Sequence, residues 1–415
     1  MEQQQNSFWA SKKKQDKMVS LVLYLIAWTG ALIFVIPLVW MVSTSLKYPT
    51  DIFTTPPKWL PISNIQWKAD STVRSQQAGY VKLAKGANGT QVIYLMSSTK
   101  RTAKVVDTMK LSGAAKLNVE KGVYVKEGDI VAELPKTGVA RVNGNIIMIT
   151  DKDGNIIDTI ETPPNSKIKV NTGDRVNEND RVAVIPPQWH NYMEAWSPKA
   201  LSETFTTYLL NTIFITVCGL LGTMLSSAFV AYGFSRFKFP YRDQLFLVMV
   251  STMMIPAQVT MIPTFILFKY IGWIDTFAPL IVPTFFGGGA FNIFLMRQFF
   301  MTIPYELDDA AKIDGCNYFQ IFWLILMPLV KPALVTIAIF GFVYNWNDFM
   351  NPLIYLNSSS KYTLALGLQT FTTMYGSYYH LMMAASTIVL LPILIVFFFG
   401  QKYFIEGVAT SGLKG

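Results

Sequence analysis

Charge is scarce in this 415-residue chain: only 15% of residues are Asp, Glu, Lys or Arg, against 51% hydrophobic and 14% aromatic. An ordinary soluble domain carries roughly 25% charged residues, so a soluble fold is excluded first. Cysteine is nearly missing. Cys218 lies in an apolar run and Cys316 in a polar loop, which leaves no disulfide framework. The two histidines, His190 and His380, sit at no metal-ligand spacing and read as lone surface residues. No Ser/His/Asp or Cys/His set and no cluster of metal ligands occurs, so neither an enzyme nor a bound metal or cofactor is expected. No Gly-x-x-x-x-Gly-Lys-Ser/Thr motif is present either, so any ATP binds a separate subunit. The formal charge of +9 is scattered beside apolar segments rather than gathered into a stripe. That argues against nucleic acid and for positive-inside membrane topology. The first apolar run is too long for a cleavable signal peptide and lacks a small-residue cleavage pattern after it.

What is present is long apolar sequence. Six runs approach or exceed the ~20 residues that cross a bilayer as helix: 19–46, 207–234, 244–270, 276–300, 332–356 and 383–404. Pro37 marks a kink in the first, and Pro256 and Pro263 bend or interrupt the third. Gly287-Gly288-Gly289 in the fourth marks close packing or a local break. Lys12, Lys13, Lys14 and Lys17 precede the first run. Arg236, Lys238 and Arg242 lie between the second and third, and Arg297, Lys312 and Lys331 bracket the loop before the fifth. Lys402 and Lys414 end the chain, while the opposite short loops offer mainly Lys269 and Lys361. Both termini and the loop before the fifth run are therefore expected in the cytoplasm of a multi-pass plasma-membrane protein.

Residues 62–187 differ in kind. They are polar, glycine-punctuated and rich in Val, Ile, Thr and Lys with strand-like alternation, and they fall outside the cell. Val119–Pro135 aligns with Val170–Pro186, each copy reading strand, Gly turn, short strand, turn, strand. The two halves are expected to close around one small core. Near copies flank the segment, Pro56-Pro57-Lys58-Trp59 and Pro186-Pro187-Gln188-Trp189, as if a domain had been inserted into an external loop. The expected division is 1–61, an N-terminal segment with the first span; 62–187, the inserted β-rich domain; and 188–415, a core with five more spans.

The loop between the fourth and fifth runs reads Pro304-Tyr305-Glu306-Leu307-Asp308-Asp309-Ala310-Ala311-Lys312-Ile313-Asp314-Gly315, followed by Met327-Pro328 and Pro332. Pro304 suits a helix start and Gly315 its end. Glu306, Asp308 and Asp309 put negative charge where the macrodipole favours it. Leu307, Ala310 and Ala311 share a face by spacing, and Phe319, Phe322, Trp323 and Leu326 are expected to pack the loop on the membrane helices. This pattern resembles the EAA loop of ABC-importer permeases. Asp309-Ala310-Ala311 stands for Glu-Ala-Ala, Asp314-Gly315 for Asp-Gly, and Met327-Pro328 for Leu-Pro. Asn191-Tyr192-Met193-Glu194-Ala195-Trp196 is similar to a stretch that follows Pro-Pro-Lys-Trp in sugar permeases. The tail Gln401–Gly415 resembles the end of the maltose-type branch, where it meets the ATPase. The half-repeats look like the barrel-sandwich hybrid of lipoyl and biotinyl carrier domains. Lys136 and Lys152 lie nearest a carrier position, but neither sits in a carrier motif.

The resemblance implies a mainly α membrane protein with the six-helix importer permease fold and a β-rich extracytoplasmic insertion between helices 1 and 2. It implies a carbohydrate permease of the maltose second-subunit type. The implied partners are a second permease subunit, an ABC ATPase dimer and an extracytoplasmic solute-binding protein, with membrane lipid around it. ATPase coupling would fall to Glu306, Asp309, Ala310, Ala311, Asp314, Gly315 and Pro328. Asn345, Trp346, Asn347 and Asp348 interrupt the fifth run and read either as helix-bridging and capping groups or as a surface for hydroxyl-rich ligands. Two other classes fit an apolar, multi-pass chain: an ion-coupled secondary transporter, and a membrane-anchored assembly or adhesion protein.

Overall fold

A computed structural model describes residues 12–412 except 69–71, 86–89, 101, 112–114, 153, 199–202 and 374–375, with backbone alone for 12–15, 373, 376–377 and 402–412. The side chains of Lys12, Lys13, Lys14 and Lys402, and the tail end 413–415 with Lys414, lie outside the described residues. The chain divides into two compact units: Leu46–Gln188, and the remainder on either side of it.

The larger unit is helical, as apolar sequence out of water must be, because each backbone N–H and C=O has to pair within its own segment. It starts with α1 (Lys12–Ser45), which runs on through Pro37. After the strand unit come α2 (His190–Trp196), α3 (Phe205–Arg236), α4 (Arg242–Ser251) and α5 (Ala257–Tyr270). Then follow α6 (Ala278–Ile281), α7 (Ala290–Thr302), α8 (Glu306–Ile313), α9 (Tyr318–Gln320) and α10 (Met327–Leu329). The last are α11 (Lys331–Trp346), α12 (Met350–Tyr355), α13 (Leu364–Leu368) and α14 (Tyr379–Gly412). Among the described residues, four helical stretches are long and apolar enough to span a membrane, and six are if two bent pairs are each one span.

Each break has a local cause. α4 and α5 meet at 97°, where Pro256 pushes Ile255 into extended backbone, φ −78° and ψ 118°. Gly287, Gly288 and Gly289 all have positive φ and separate the turn Val282–Phe285 from α7. Between Tyr318–Leu329 and α11 the chain bends by 75°, with Pro328 and Pro332 opening α10 and α11. The fifth run is shorter than expected. α11 stops at Trp346, and α12 is a separate turn after residues 347–349.

His380 is buried rather than at the surface, because α2 packs over the first turns of α14. At the other end of α2, Asn191 Nδ2 donates to Ser45 O at 2.8 Å, and Ser45 Oγ shares a 2.7 Å hydrogen bond with Tyr192 Oη. The points where the helical unit is interrupted and resumed therefore touch.

Among its described residues the strand unit has 14 strands: β1 (Ser63–Gln66), β2 (Thr72–Arg74), β3 (Gly79–Lys85), β4 (Gln91–Met96), β5 (Val105–Leu111), β6 (Lys116–Leu117) and β7 (Tyr124–Val125), then β8 (Ile130–Glu133), β9 (Thr137–Asn143), β10 (Ile146–Thr150), β11 (Ile156–Glu161), β12 (Lys167–Ile168), β13 (Arg175–Asn177) and β14 (Arg181–Ile185). They form sheets β2-β8-β6 with β5-β4-β3-β7, and β1-β14-β12 with β11-β10-β9-β13. The two sets have one topology, but the second begins with β1, ahead of the whole first set. One copy is nested inside the first connection of the other.

Equivalent details repeat. Gly122 and Gly173 have positive φ and donate to Val81 O and Ala140 O, both at 2.8 Å. Asn179 takes the left-handed position that Gly128 fills in the first copy. Asp129 and Asp180 each accept from the backbone N–H three residues earlier. The expectation of one shared core is corrected: Val81, Ile93, Leu95, Val125 and Val131 fill one, while Trp67, Ala140, Ile147, Ile149, Val176 and Val182 fill another. Each half has enough alternating apolar residues to close by itself.

Trp67 is fully buried and its Nε1 donates to Asp158 Oδ2 at 3.0 Å. Trp67→Ala is expected to destabilise its half by roughly 3–5 kcal/mol. In limited proteolysis of the full chain, new cuts should appear within residues 137–185 while 72–133 stays resistant. Unchanged cleavage would contradict the separate core.

Candidate functional site

The loop between α7 and α8 turns polar sequence back onto the helical bundle, and its geometry begins with Gly315. Cys316 N donates to Ala311 O at 2.9 Å and Gly315 N to Lys312 O at 3.0 Å, while Gly315 has φ +85°. This pair of bonds closes the C-terminus of α8 through a left-handed residue, which glycine adopts without strain. Glu306, Asp308 and Asp309 occupy the first turn, where they face the positive end of the helix dipole. Asn317 and Gln320 then cap each other reciprocally and start α9.

α8 is amphipathic, but its faces are divided differently from the spacing argument. Ala311 is buried in the core with Ala231, Tyr232, Phe300 and Phe322, whereas Ala310 and Leu307 are exposed. The inward face is Asp308 and Ala311, three residues apart. The outward face is Leu307, Ala310 and Ile313, with Glu306, Asp309 and Asp314 also exposed around it. Asp309 pairs with Lys312 at 3.0 Å on the surface, and this hydrogen bond raises the Lys312 ammonium pKa. Of the four residues expected to pack the loop down, Phe322 and Leu326 are buried, but Phe319 and Trp323 are exposed and gather around Phe229. Hydrophobicity alone therefore does not mark the inside.

What the loop rests on is Arg236, the last residue of α3. Its Nε lies 3.4 Å from Asp308 Oδ2, with side chains only 3% and 7% exposed. Arg236 Nη2 donates to Ile303 O at 3.0 Å, and the guanidinium covers the Tyr305 ring at 4.5 Å. Tyr305 Oη donates to Ser235 O at 2.5 Å, and Tyr232 Oη to Tyr318 O at 3.0 Å. Burial pushes the Asp308 carboxyl above the usual carboxylate range, although Arg236 pulls the other way. Sequence reasoning missed this pair. Arg236 reads there as one of several basic residues flanking a span, and nothing local ties it to a residue 72 positions later.

Pro328 is exposed in the first turn of α10. The second candidate group stands at the far end of α11, roughly 24 Å away at 1.5 Å per residue. Trp346 is buried, and its Nε1 donates to Val389 O at 3.1 Å. Asn347 Nδ2 donates to Val343 O at 2.8 Å. Asp348 accepts from Asn351 N at 3.2 Å and Asn351 Nδ2 at 2.8 Å, in the first turn of α12. Asn345 faces Gly219 of α3, where an added Cβ would lie 3.4 Å from its Nδ2. The structure does not bring these four residues together with α8.

A further junction was not anticipated. Asp275, at φ +60°, accepts from Asn357 N at 3.0 Å, Ser358 N at 2.9 Å, Ser358 Oγ at 2.6 Å and Lys361 Nζ at 2.9 Å. The Ser358 hydrogen bonds, followed by Lys361, hold its carboxyl far below the usual range. This ties the loop after α5 to the loop after α12.

Residues 221–410, which include α8 and its Gly315 cap, match the family described as "Binding-protein-dependent transport system inner membrane component". Similar proteins include a putative ABC transporter permease protein of Caldicellulosiruptor sp., 38% identical over 215 residues, 52% of this chain and 78% of that protein. An arabinooligosaccharides transport system permease protein of Halalkalibacterium halodurans is 36% identical over 211 residues, 51% of this chain and 75% of that protein. A solved bacterial ABC transporter involved in the import of the acidic polysaccharide alginate is 28% identical, with a TM-score of 0.47 over 53% of this chain and 81% of that one.

Proposed function

This chain belongs to the family of binding-protein-dependent transport system inner membrane components, and from that premise we propose that it is a carbohydrate importer subunit driven by a separate ATPase through α8. One observation carries the reading. α8 is a short helix whose inner face, Asp308 and Ala311, is fixed to the bundle while Leu307, Ala310 and Ile313 face outward. Such a helix transmits force, because its backing cannot yield separately. Glu306, Asp309, Ala310, Asp314 and Gly315 form or shape the surface that meets the ATPase, Ala311 and Pro328 hold it in place, and both termini lie on the same, cytoplasmic side.

The partners are a second permease subunit, a pair of ATPase subunits and an external solute-binding protein. The named substrate of an arabinooligosaccharide permease relative supports an oligosaccharide as cargo. Asn345 and Asn347, at the opposite end of α11, are the groups we place on its path; Trp346 and Asp348 brace them. The strand unit is extracytoplasmic by this topology. Its halves, of seven strands each, read as two barrel-sandwich-hybrid-like modules, and we assign them contact with the binding protein rather than cargo chemistry.

The test uses the complete transporter in proteoliposomes with arabinotriose as probe. Uptake is expected to require ATP on the α8 side and to stop with vanadate. Uptake that runs without ATP and collapses with an ionophore would overturn the proposal in favour of an ion-coupled carrier.

A further inference from the structure

We propose that Arg236 and Asp308 are positioning residues for transport, a buried latch that makes α8 and α3 move as one body. The inference rests on the reading above and deepens it, because it names how a push received by α8 reaches a membrane span.

The latch is defined by where its atoms come from. Arg236 is the final residue of α3. Its one guanidinium touches three successive parts of the segment that leads into α8: Ile303 O by hydrogen bond, the Tyr305 ring by its face, and Asp308 by charge. Tyr305 returns the contact by donating to Ser235 O. Sliding α8 along α3 breaks these contacts together and leaves a cation and an anion unpaired in an apolar surround, which is strongly unfavourable. Slippage is therefore an all-or-none event.

Stability alone does not explain the pair. Replacing a buried ion pair with apolar residues of similar volume is often neutral or stabilising. Here the pairing is also incomplete: Arg236 Nε and Nη1 and Asp308 Oδ1 have no hydrogen-bond partner among the described residues. A less costly filling was open to this chain, since the surrounding core is Tyr232, Phe300 and Ala311. What charge adds over an apolar plug is a fixed register. The Lys312–Asp309 pair makes the contrast, because it is exposed and joins two residues of α8 only.

The experiment measures the register directly and needs no cargo. Nitroxide labels are placed on Leu210→Cys, exposed near the start of α3, and Lys312→Cys, exposed on α8 beside rather than on its outward face, with Cys218→Ser and Cys316→Ser. The complex, in lipid nanodiscs, is read by pulsed electron paramagnetic resonance without nucleotide and with ATP plus vanadate. Without further change, the distance distribution is expected to stay narrow and to keep its mean in both states. With Arg236→Met/Asp308→Leu, which fills the same space, it should broaden, and its mean should shift when ATP and vanadate are added. The exchanged pair Arg236→Asp/Asp308→Arg should narrow it again, which a purely space-filling role would not predict. A nucleotide-dependent shift with the native pair, or an apolar pair that holds the distance, overturns the latch. If no ATPase accompanies the chain, the proposed function fails. The latch is still decided by the widths of the nucleotide-free distributions: equal widths for native and apolar pairs reject it.

Discussion

An Ala310→Arg variant is expected to fold and insert normally yet lose its ATPase on purification, with retention falling about thirtyfold. That factor corresponds to ~2 kcal/mol, the loss typical of a central interface residue. Its neighbour sets the contrast. Ala310 is exposed, so an arginine there meets solvent and disturbs no packing; Ala311 is in the core beside Phe300 and Phe322. Ala311→Arg should therefore fail by misfolding, with a lowered unfolding temperature and poor yield, while Ala310→Arg keeps the native unfolding temperature. The measurement is co-purification of the ATPase alongside thermal unfolding of the permease. Full ATPase retention by a folded Ala310→Arg protein would remove α8 from the interface.

The second large effect lies within the bundle. Gly288 has φ +61°, and a Cβ there would sit 2.7 Å from Thr223 O and 2.8 Å from Ser227 N, both backbone atoms of α3. Side chains swing aside, but a helix backbone does not. Left-handed strain and overpacking together should make Gly288→Ala destabilising by about 3 kcal/mol. Gly233, inside α3, has nothing within 4 Å of the same added atom. Gly233→Ala is expected to be neutral or to stabilise by ~0.5–1 kcal/mol through helix propensity. Thermal unfolding of the two variants in one detergent checks both. Equal behaviour would mean that the glycine run serves no close approach.

How much of this was legible in the chain depends on the range of the interaction. The start and stop of α8 were readable because Pro304 and Gly315 act within one helical turn. The bend at Pro256 and the break at Gly287-Gly288-Gly289 were readable for the same reason: proline removes a donor, and glycine admits positive φ. Arg236 and Asp308 were not. Each is an ordinary loop-flanking charge until the fold places them 3.4 Å apart. The roles of Ala310 and Ala311 were also hidden, since spacing groups them on one face and only packing separates them.

In the strand unit, the repeat was visible in Val119–Pro135 and Val170–Pro186, where the turn residues Gly122 and Gly173 align. That β1 completes the second copy was not visible, because a four-residue strand of Ser63–Gln66 carries no signature of its distant partner. Phe319 and Trp323 failed for a different reason. Aromatic residues that stay exposed and those that fill a core look alike in sequence.

The central claim is that α8 faces the compartment that holds the ATPase. Ile313 tests it most directly, being 87% exposed on the outward face. With Cys218→Ser and Cys316→Ser, an Ile313→Cys chain is treated with a membrane-impermeant maleimide in intact cells and again after the membrane is opened. No labelling is expected in intact cells, and labelling is expected once the membrane is opened and the ATPase washed off; labelling in intact cells would contradict the claim.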